Sequence, residues 1–218
     1  MKLYSAGLSP FASRPRLAIY AKNLPVDIVA PPEAGLKSPE YLAINPMGKL
    51  PALQLDDGTV IPESDTIVEY LADRFPNAGL RPSTPEKIAQ GRLIARVAEL
   101  YVMNAGGSLF GQMAPQGRDQ AVIDAAFKGI DAGLTHLDAF MTDDRYAAGE
   151  TLTSADCALV PLLFFMNVFQ QVFGRDVLSR HGKVATYWSR VQTDPAVQKV
   201  LGEMGEALRA RAAALAPA

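Results

Sequence analysis

The hydrophobic pattern of this chain changes character once, near Pro76, and the change demands two differently built parts. Before it, short elements alternate in type. Lys2 to Ala6 reads as a strand, Leu17 to Ala21 as a helix and Val26 to Val29 as a second strand. Ser38 to Leu42 reads as a short helix, with Ser38 capping and Pro39 at its first position. Leu50 to Leu55 and Thr59 to Ile61 read as a hairpin turned by Asp56-Asp57-Gly58. Ile67, Val68, Leu71 and Phe75 recur at helical spacing. That order predicts an α/β domain with a mixed sheet over residues 1–78. Residues 77–85 carry Gly79, Pro82 and Pro85 and read as a linker. Residues 85–218 then read as an all-α helical domain: 86–110, 119–141, a helix from Thr153, and two more over 184–214. The Ala-rich end from Ala207 is expected to fray. Thr153 and Asp156 have capping-box spacing, with Asp where Glu is commoner.

Composition removes several classes of function. Of 218 residues, 49% are hydrophobic and 20% charged, an ordinary globular mixture. A net charge of -2 leaves no basic excess to attract nucleic acid or an anionic membrane. The longest apolar run, Ala158 to Phe169, contains Asn167 and is short for a membrane span. The N-terminus enters a strand pattern at once, so no signal peptide is expected. Cys157 is the single cysteine and forms no intrachain disulfide, which suits a cytoplasmic setting. His136 and His181 stand apart and make no metal site, Cys157 reads as a buried small hydrophobe, and Trp188 reads as core.

Three stretches of the first part could carry chemistry. Ser9 stands where the first strand hands over to a helix, beside free backbone N–H groups and the positive end of the helix dipole. An anion such as a thiolate is stabilised there. The plain alternative is an N-cap followed by Pro10. Leu50-Pro51 opens a strand and suits a cis bond, which would turn the Leu50 N–H and C=O toward an extended ligand. Its alternative is an ordinary edge proline. Glu63-Ser64 starts a helix, where Ser64 fits an N-cap. The pair could equally read the two charges of an amino-acid head group. Lys37 offers a point charge for a second carboxylate, or is simply solvated.

Ser9-Pro10-Phe11-Ala12-x-Arg14-x-Arg16-Leu17, Asn45-Pro46-x-Gly48-Lys49-Leu50-Pro51 and Glu63-Ser64-x-x-Ile67-x-x-Tyr70-Leu71 together resemble the cytosolic glutathione S-transferase superfamily. The Thr153-x-x-Asp156 box after Gly149 is similar to that family's helical-domain motif. The resemblance implies a thioredoxin-like N-terminal domain, an all-helical C-terminal domain and a homodimer. It also implies glutathione as co-substrate. Ser9 would face the sulfur, Leu50 before Pro51 would pair with the cysteine backbone, Glu63 and Ser64 would hold the γ-glutamyl end, and Lys37 would meet the glycine carboxylate. Ser-Pro-Phe resembles the tau class and Ala-x-Arg-x-Arg the omega class, whose members carry cysteine where Ser9 stands. The zeta-type Ser-Ser-Cys is absent. Pro15 departs from the pattern and implies a helix that starts near Ser13 or is irregular in its first turns.

On this reading Ser9 donates a hydrogen bond to the thiolate and takes no covalent part. Lowering a thiol pKa by roughly two units corresponds to about 2.7 kcal/mol. Ser13 is the rival activator, since it too could cap the first helix; Tyr4 and Ser5 are weaker ones. A pocket for a small hydrophobic electrophile is expected between the domains, with Phe11 on one wall and Tyr101, Asn104 and Ser108 recurring along one helix face. Phe110, Met113 and Phe165 would add apolar surface, whereas Val97 and Phe169 read as core. Gly106-Gly107 is expected to weaken that helix. Ether cleavage or isomerisation with glutathione, and non-catalytic binding on the same scaffold, are the alternative functions.

Overall fold

The computed structural model describes residues 1–215, arranged in two compact units. The first holds β1 (Lys2–Tyr4), α1 (Pro10–Lys22), β2 (Asp27–Val29), α2 (Pro39–Ile44), β3 (Ala52–Gln54), β4 (Val60–Pro62) and α3 (Ser64–Arg74). The sheet order is β2-β1-β3-β4. β1 and β2 are parallel across α1, as a helical crossover requires, while β3 and β4 are antiparallel neighbours. Leu3, Leu53, Leu17, Ile67 and Leu71 are fully buried and form the core between the sheet and the helices α1 and α3. This is the mixed sheet expected from the alternating pattern.

Two expectations about this unit change. The helix α1 begins at Pro10 and carries Pro15 inside it, so Pro15 does not delay its start. The consequence is local: Pro15 has no N–H to give the Phe11 carbonyl. The linker reading of residues 77–85 also shifts. A 3₁₀ turn covers Pro76–Ala78, and Arg81 is tied back to α3 by Glu69 at 3.0 Å and Asp73 at 2.8 Å. The first unit therefore runs through Arg81. It also takes back the chain from Thr193 onward. The helix α9 (Pro195–Leu215) packs on α1 rather than joining the helical unit, although the sequence pattern groups it there. Periodicity reports that a helix has a buried face; it does not report which neighbour covers it.

The second unit, Pro82–Gln192, is helical. It begins with α4 (Pro85–Val97), which widens into a π-helical stretch over Ala98–Met103. A single α-turn, α5 (Asn104–Gly106), and a 3₁₀ stretch, Gly107–Gln112, follow. The expected single helix over 86–110 is thus three geometries in series. Gly133, on α6 (Gln120–Phe140), explains the widening. A Cβ at Gly133 would stand 2.4 Å from the Tyr101 carbonyl oxygen, so only glycine lets that backbone bulge against α6. Gly133→Ala is expected to lower unfolding free energy by about 2 kcal/mol, as overpacking does. Denaturant titration checks this; a loss below about 0.5 kcal/mol, the scale of an ordinary surface change, would mean the π turn relaxes freely.

The helix α7 (Ser154–Phe173) forms the centre of this unit, with α8 (Gly182–Val191) beside it. It is longer than the apolar run that sequence suggested. By length and composition it could cross a bilayer, with mean hydropathy 1.4, but 67% of that window is buried inside the protein. Core helices read the same way on hydropathy alone. Thr153 and Asp156 form the reciprocal capping box at its start. Cys157 is fully buried and Trp188 nearly so, as expected for core positions. His136 lies edge-on to Tyr101, and His181 pairs with Asp131 at 3.2 Å.

Candidate functional site

Strand register gathers the predicted residues of the first unit at one end of the sheet. Tyr4 pairs with both Val29 and Ala52, and Ala52 pairs with Pro62. The chain leaving β1, the chain entering β3 and the chain leaving β4 therefore emerge together. These are the segments that carry Ser9, Leu50-Pro51 and Glu63-Ser64. The loop after β2 leads to Lys37, whose ammonium donates to the Met47 carbonyl at 3.1 Å, just upstream of Leu50. Gly48, at φ +57°, leaves no room for a Cβ, which would lie 2.7 Å from the Leu36 carbonyl and 2.8 Å from the Lys37 Nζ.

Ser9 is the N-cap of α1, half-buried, and its Oγ accepts the Ala12 N–H at 3.2 Å. The cap uses the oxygen's lone pair and leaves the hydroxyl proton with no acceptor among the described residues. A group that accepts that proton at a helix N-terminus meets both a donor and the positive dipole end. Ser13 cannot compete. It is fully buried, its hydroxyl donates to the Ser9 carbonyl at 2.9 Å, and its oxygen accepts from Arg16 at 2.7 Å. Tyr4 is also engaged, its hydroxyl directed to Gln54 at 3.3 Å. Ser5 is 6% exposed and its Oγ has no partner among the described residues, so it is buried rather than open to a ligand. Phe11 is 37% exposed beside the cap, with the Arg14 guanidinium 5.0 Å over its ring.

Leu50-Pro51 is cis. The Leu50 N–H and C=O have no backbone partner among the described residues, so they remain open to an added strand. The turn before it is held rigidly: the Lys49 carbonyl accepts from the Tyr41 hydroxyl and the Asn45 side chain, both at 2.8 Å. Burial pushes the Tyr41 phenol up, so it stays a donor at ordinary pH. At the third segment the sequence reading needs correction. Glu63, not Ser64, occupies the cap position, and Ser64 is the first helical residue, 3% exposed. Glu63 is exposed at φ 68°, a backbone region that favours glycine. Non-glycine residues in this region collect at ligand-holding sites.

The proposed pocket residues of the helical unit divide. Tyr101 is 53% exposed, and Asn104, Ser108 and Phe110 are exposed as well. Phe165 is not: at 2% exposure its ring packs edge-on to Phe110, 4.9 Å between centroids, within a cluster that includes Phe169. Its place is in the core, where two more aromatic rings cover it. Val97 is buried, as its apolar character predicts. A separate cleft of about 400 Å³ in this unit is lined by Asp124, Phe127, Asp131, Arg175 and Arg180. None of the predicted residues lines it, and four of its charges are paired, Arg175 with Asp124 and Arg180 with Asp131. No group of three or more potential metal ligands occurs among the described residues.

What the sequence reading missed is an ionic group behind Ser9. The Arg16 guanidinium, 4% exposed, meets Glu203 of α9 at 2.7 Å and the Gly7 carbonyl at 2.8 Å. Burial lowers the Arg16 pKa, and the Glu203 carboxylate beside it offsets only part of that drop. Tyr20 donates to the other Glu203 oxygen at 2.9 Å; burial, then Glu203, push its phenol up to about 12. The Arg-x-Arg spacing was visible, but its acidic partner lies 187 residues away.

Against known proteins, residues 3–79 match the family model for the glutathione S-transferase N-terminal domain, and residues 120–187 match the C-terminal one. The chain is 30% identical over 173 residues to a maleylacetoacetate isomerase of Pseudomonas aeruginosa, covering 75% of this chain and 80% of that one. It is 31% identical over 192 residues to the glutathione S-transferase GstB of Escherichia coli, covering 85% and 89%. Among solved structures it superposes on a glutathione S-transferase of Methylobacillus flagellatus with glutathione bound, at TM-score 0.76 and 27% identity, covering 91% and 98%.

Proposed function

Because the chain belongs to the glutathione S-transferase family, whose scaffold binds and transfers glutathione, we propose that Ser9 is the residue that activates the glutathione sulfur here. The observation that carries the reading is the Ser9 hydroxyl: capped on its oxygen, unspent on its proton, at the N-terminus of α1. The co-substrate extends along the sheet end. Its cysteine backbone pairs with Leu50 beside Pro51, its γ-glutamyl group meets Glu63 and Ser64, and its glycine carboxylate meets Lys37. The thiol proton leaves to solvent, and the Ser9 O–H and the helix terminus hold the thiolate. The sulfur then forms a C–S bond with a small hydrophobic electrophile. In substitution the leaving group departs with its electron pair; in addition the neighbouring carbon takes up a proton. Phe11, exposed beside the cap, is the side chain of the first unit that we assign to the electrophile.

Retention on immobilised glutathione, together with conjugation of a generic aryl halide, tests this function. Retention without conjugation would favour a binding protein. The similarity to maleylacetoacetate isomerase favours a second reading, glutathione-dependent isomerisation, in which the sulfur adds to a double bond and leaves again. Turnover of a cis-enedioic acid without net loss of glutathione would select it. Ser9→Cys supplies a further check. A thiolate at residue 9 attacks the sulfur of a glutathione mixed disulfide and releases the other thiol. The variant is expected to gain thiol–disulfide exchange absent from the wild type; no gain would mean that the glutathione sulfur does not sit beside residue 9.

A further inference from the structure

We infer that Glu203, on the last helix, is a positioning residue for Ser9, acting through Arg16 and Ser13. The inference rests on the reading of Ser9 as the thiolate donor, but its geometry stands alone. The Arg16 guanidinium grips both sides of Ser9 at once. One N–H goes to the carbonyl of Gly7, two residues before it, at 2.8 Å. Another goes to the Ser13 hydroxyl at 2.7 Å, and that hydroxyl passes its own proton to the Ser9 carbonyl at 2.9 Å. The turn that carries the donor hydroxyl is thus stapled at its start and at the backbone of the donor itself.

The guanidinium needs a reason to stay there. It is buried, and a buried cation holds its place only against a partner charge. Glu203 supplies that charge at 2.7 Å. Its carboxylate is in turn immobilised by Tyr20, and the Lys199 ammonium lies 3.7 Å from the centre of the Tyr20 ring. The helix also touches the turn directly. A Cβ at Gly7 would meet the Ala207 Cβ at 3.0 Å and the Glu203 carbonyl at 3.5 Å. A helix that only covered α1 would need neither the close approach at Gly7 nor an arginine fork reaching past it. The arrangement makes the C-terminal helix part of what aims Ser9, through bonds whose ends are far apart in sequence.

The test compares Glu203→Ala, Glu203→Gln and Tyr20→Phe in the full chain, with two readouts. The first is amide hydrogen exchange without any ligand. Glu203→Ala is expected to speed exchange at Ser9 and Ala12 by about tenfold while Ile67 and Leu71 of α3 stay protected. The second is the pH dependence of kcat/KM, whose thiol limb should move up by about one unit, with the KM for glutathione nearly unchanged. Glu203→Gln keeps an oxygen for Arg16 but removes the charge, so it should recover only part of both effects. Tyr20→Phe cuts only the outer bond and should give a smaller effect than Glu203→Ala in both readouts. Unchanged exchange at Ser9 and Ala12 would overturn the inference, and so would equal loosening at Ile67 and Leu71, which marks general destabilisation. An unmoved pH limb in a protein that does ionise glutathione would overturn it too. Local loosening in a protein that never ionises glutathione would leave the staple standing and remove the function assigned to Ser9. The two claims therefore fail separately.

Discussion

Ser9→Ala is expected to lower kcat/KM at pH 6.5 by about 100-fold while glutathione binding stays within about threefold of the wild type. The magnitude follows from the sulfur's ionisation. A free thiol has a pKa near 8.5, so a shift of roughly two units separates a mostly protonated from a mostly ionised sulfur at neutral pH. The binding groups assigned to glutathione are spread over three other segments, so the loss should fall on the chemical step rather than on affinity. A rising pH should restore the variant, because the solvent then takes the proton that Ser9 helped to remove. Stopped-flow measurement of thiolate absorbance on the enzyme, beside the pH profile, checks both points. A variant with wild-type activity would remove Ser9 from the mechanism. Ser13 would not be its replacement, because its proton is spent on the Ser9 carbonyl.

The largest effect on stability is expected at Asp156. This side chain is fully buried and accepts four hydrogen bonds: from the Ala147 N–H at 2.9 Å, the Thr153 N–H at 2.8 Å, the Thr153 hydroxyl at 3.2 Å and the Tyr187 hydroxyl at 2.9 Å. It thereby caps the core helix α7 and ties to it the loop before it and the helix α8. Burial, and then Asp156 itself, push the Tyr187 phenol up, so that group remains a donor. Asp156→Ala strips a cap worth about 1 kcal/mol and leaves buried donors unpaired at about 1–3 kcal/mol each. A total near 4 kcal/mol should lower the melting midpoint by roughly 10 °C. Tyr187→Phe removes one donor together with its need and should cost far less. Calorimetry decides: a midpoint within roughly 2 °C of the wild type would mean that α7 does not depend on its cap.

These two sites differ in how they could be read. The Thr153-x-x-Asp156 box is local. Its bonds close within one turn, so spacing alone predicts it. The same holds for the caps at Ser9 and Ser38, where an oxygen three residues upstream of an N–H needs no distant help. The order of elements along the first unit was legible for a related reason, since periodicity acts on neighbouring backbone, whereas the cis bond at Leu50-Pro51 stood beside the alternative of an ordinary edge proline. Ser64 was misplaced by one position because a serine before an acidic residue looks like a cap. The positive φ at Glu63, which makes Glu63 the cap, is imposed by the turn out of β4. Phe165 was misplaced because an aromatic residue at helical spacing does not reveal whether Phe110 covers it.

By itself, then, the sequence determined the order of elements, the two differently built parts and the cap at the start of the first helix. Those depend on backbone chemistry and on periodicities a few residues long. Only the tertiary structure decided which hydroxyl is free. Ser9 and Ser13 are alike in sequence, and they differ because Arg16, brought in against Glu203, claims one and leaves the other. It also decided that the last helix belongs to the first unit, and that a helix widens at Tyr101 because Gly133 faces it. In each case the deciding contact joins residues far apart in the chain, and its energy depends on burial that no local pattern encodes.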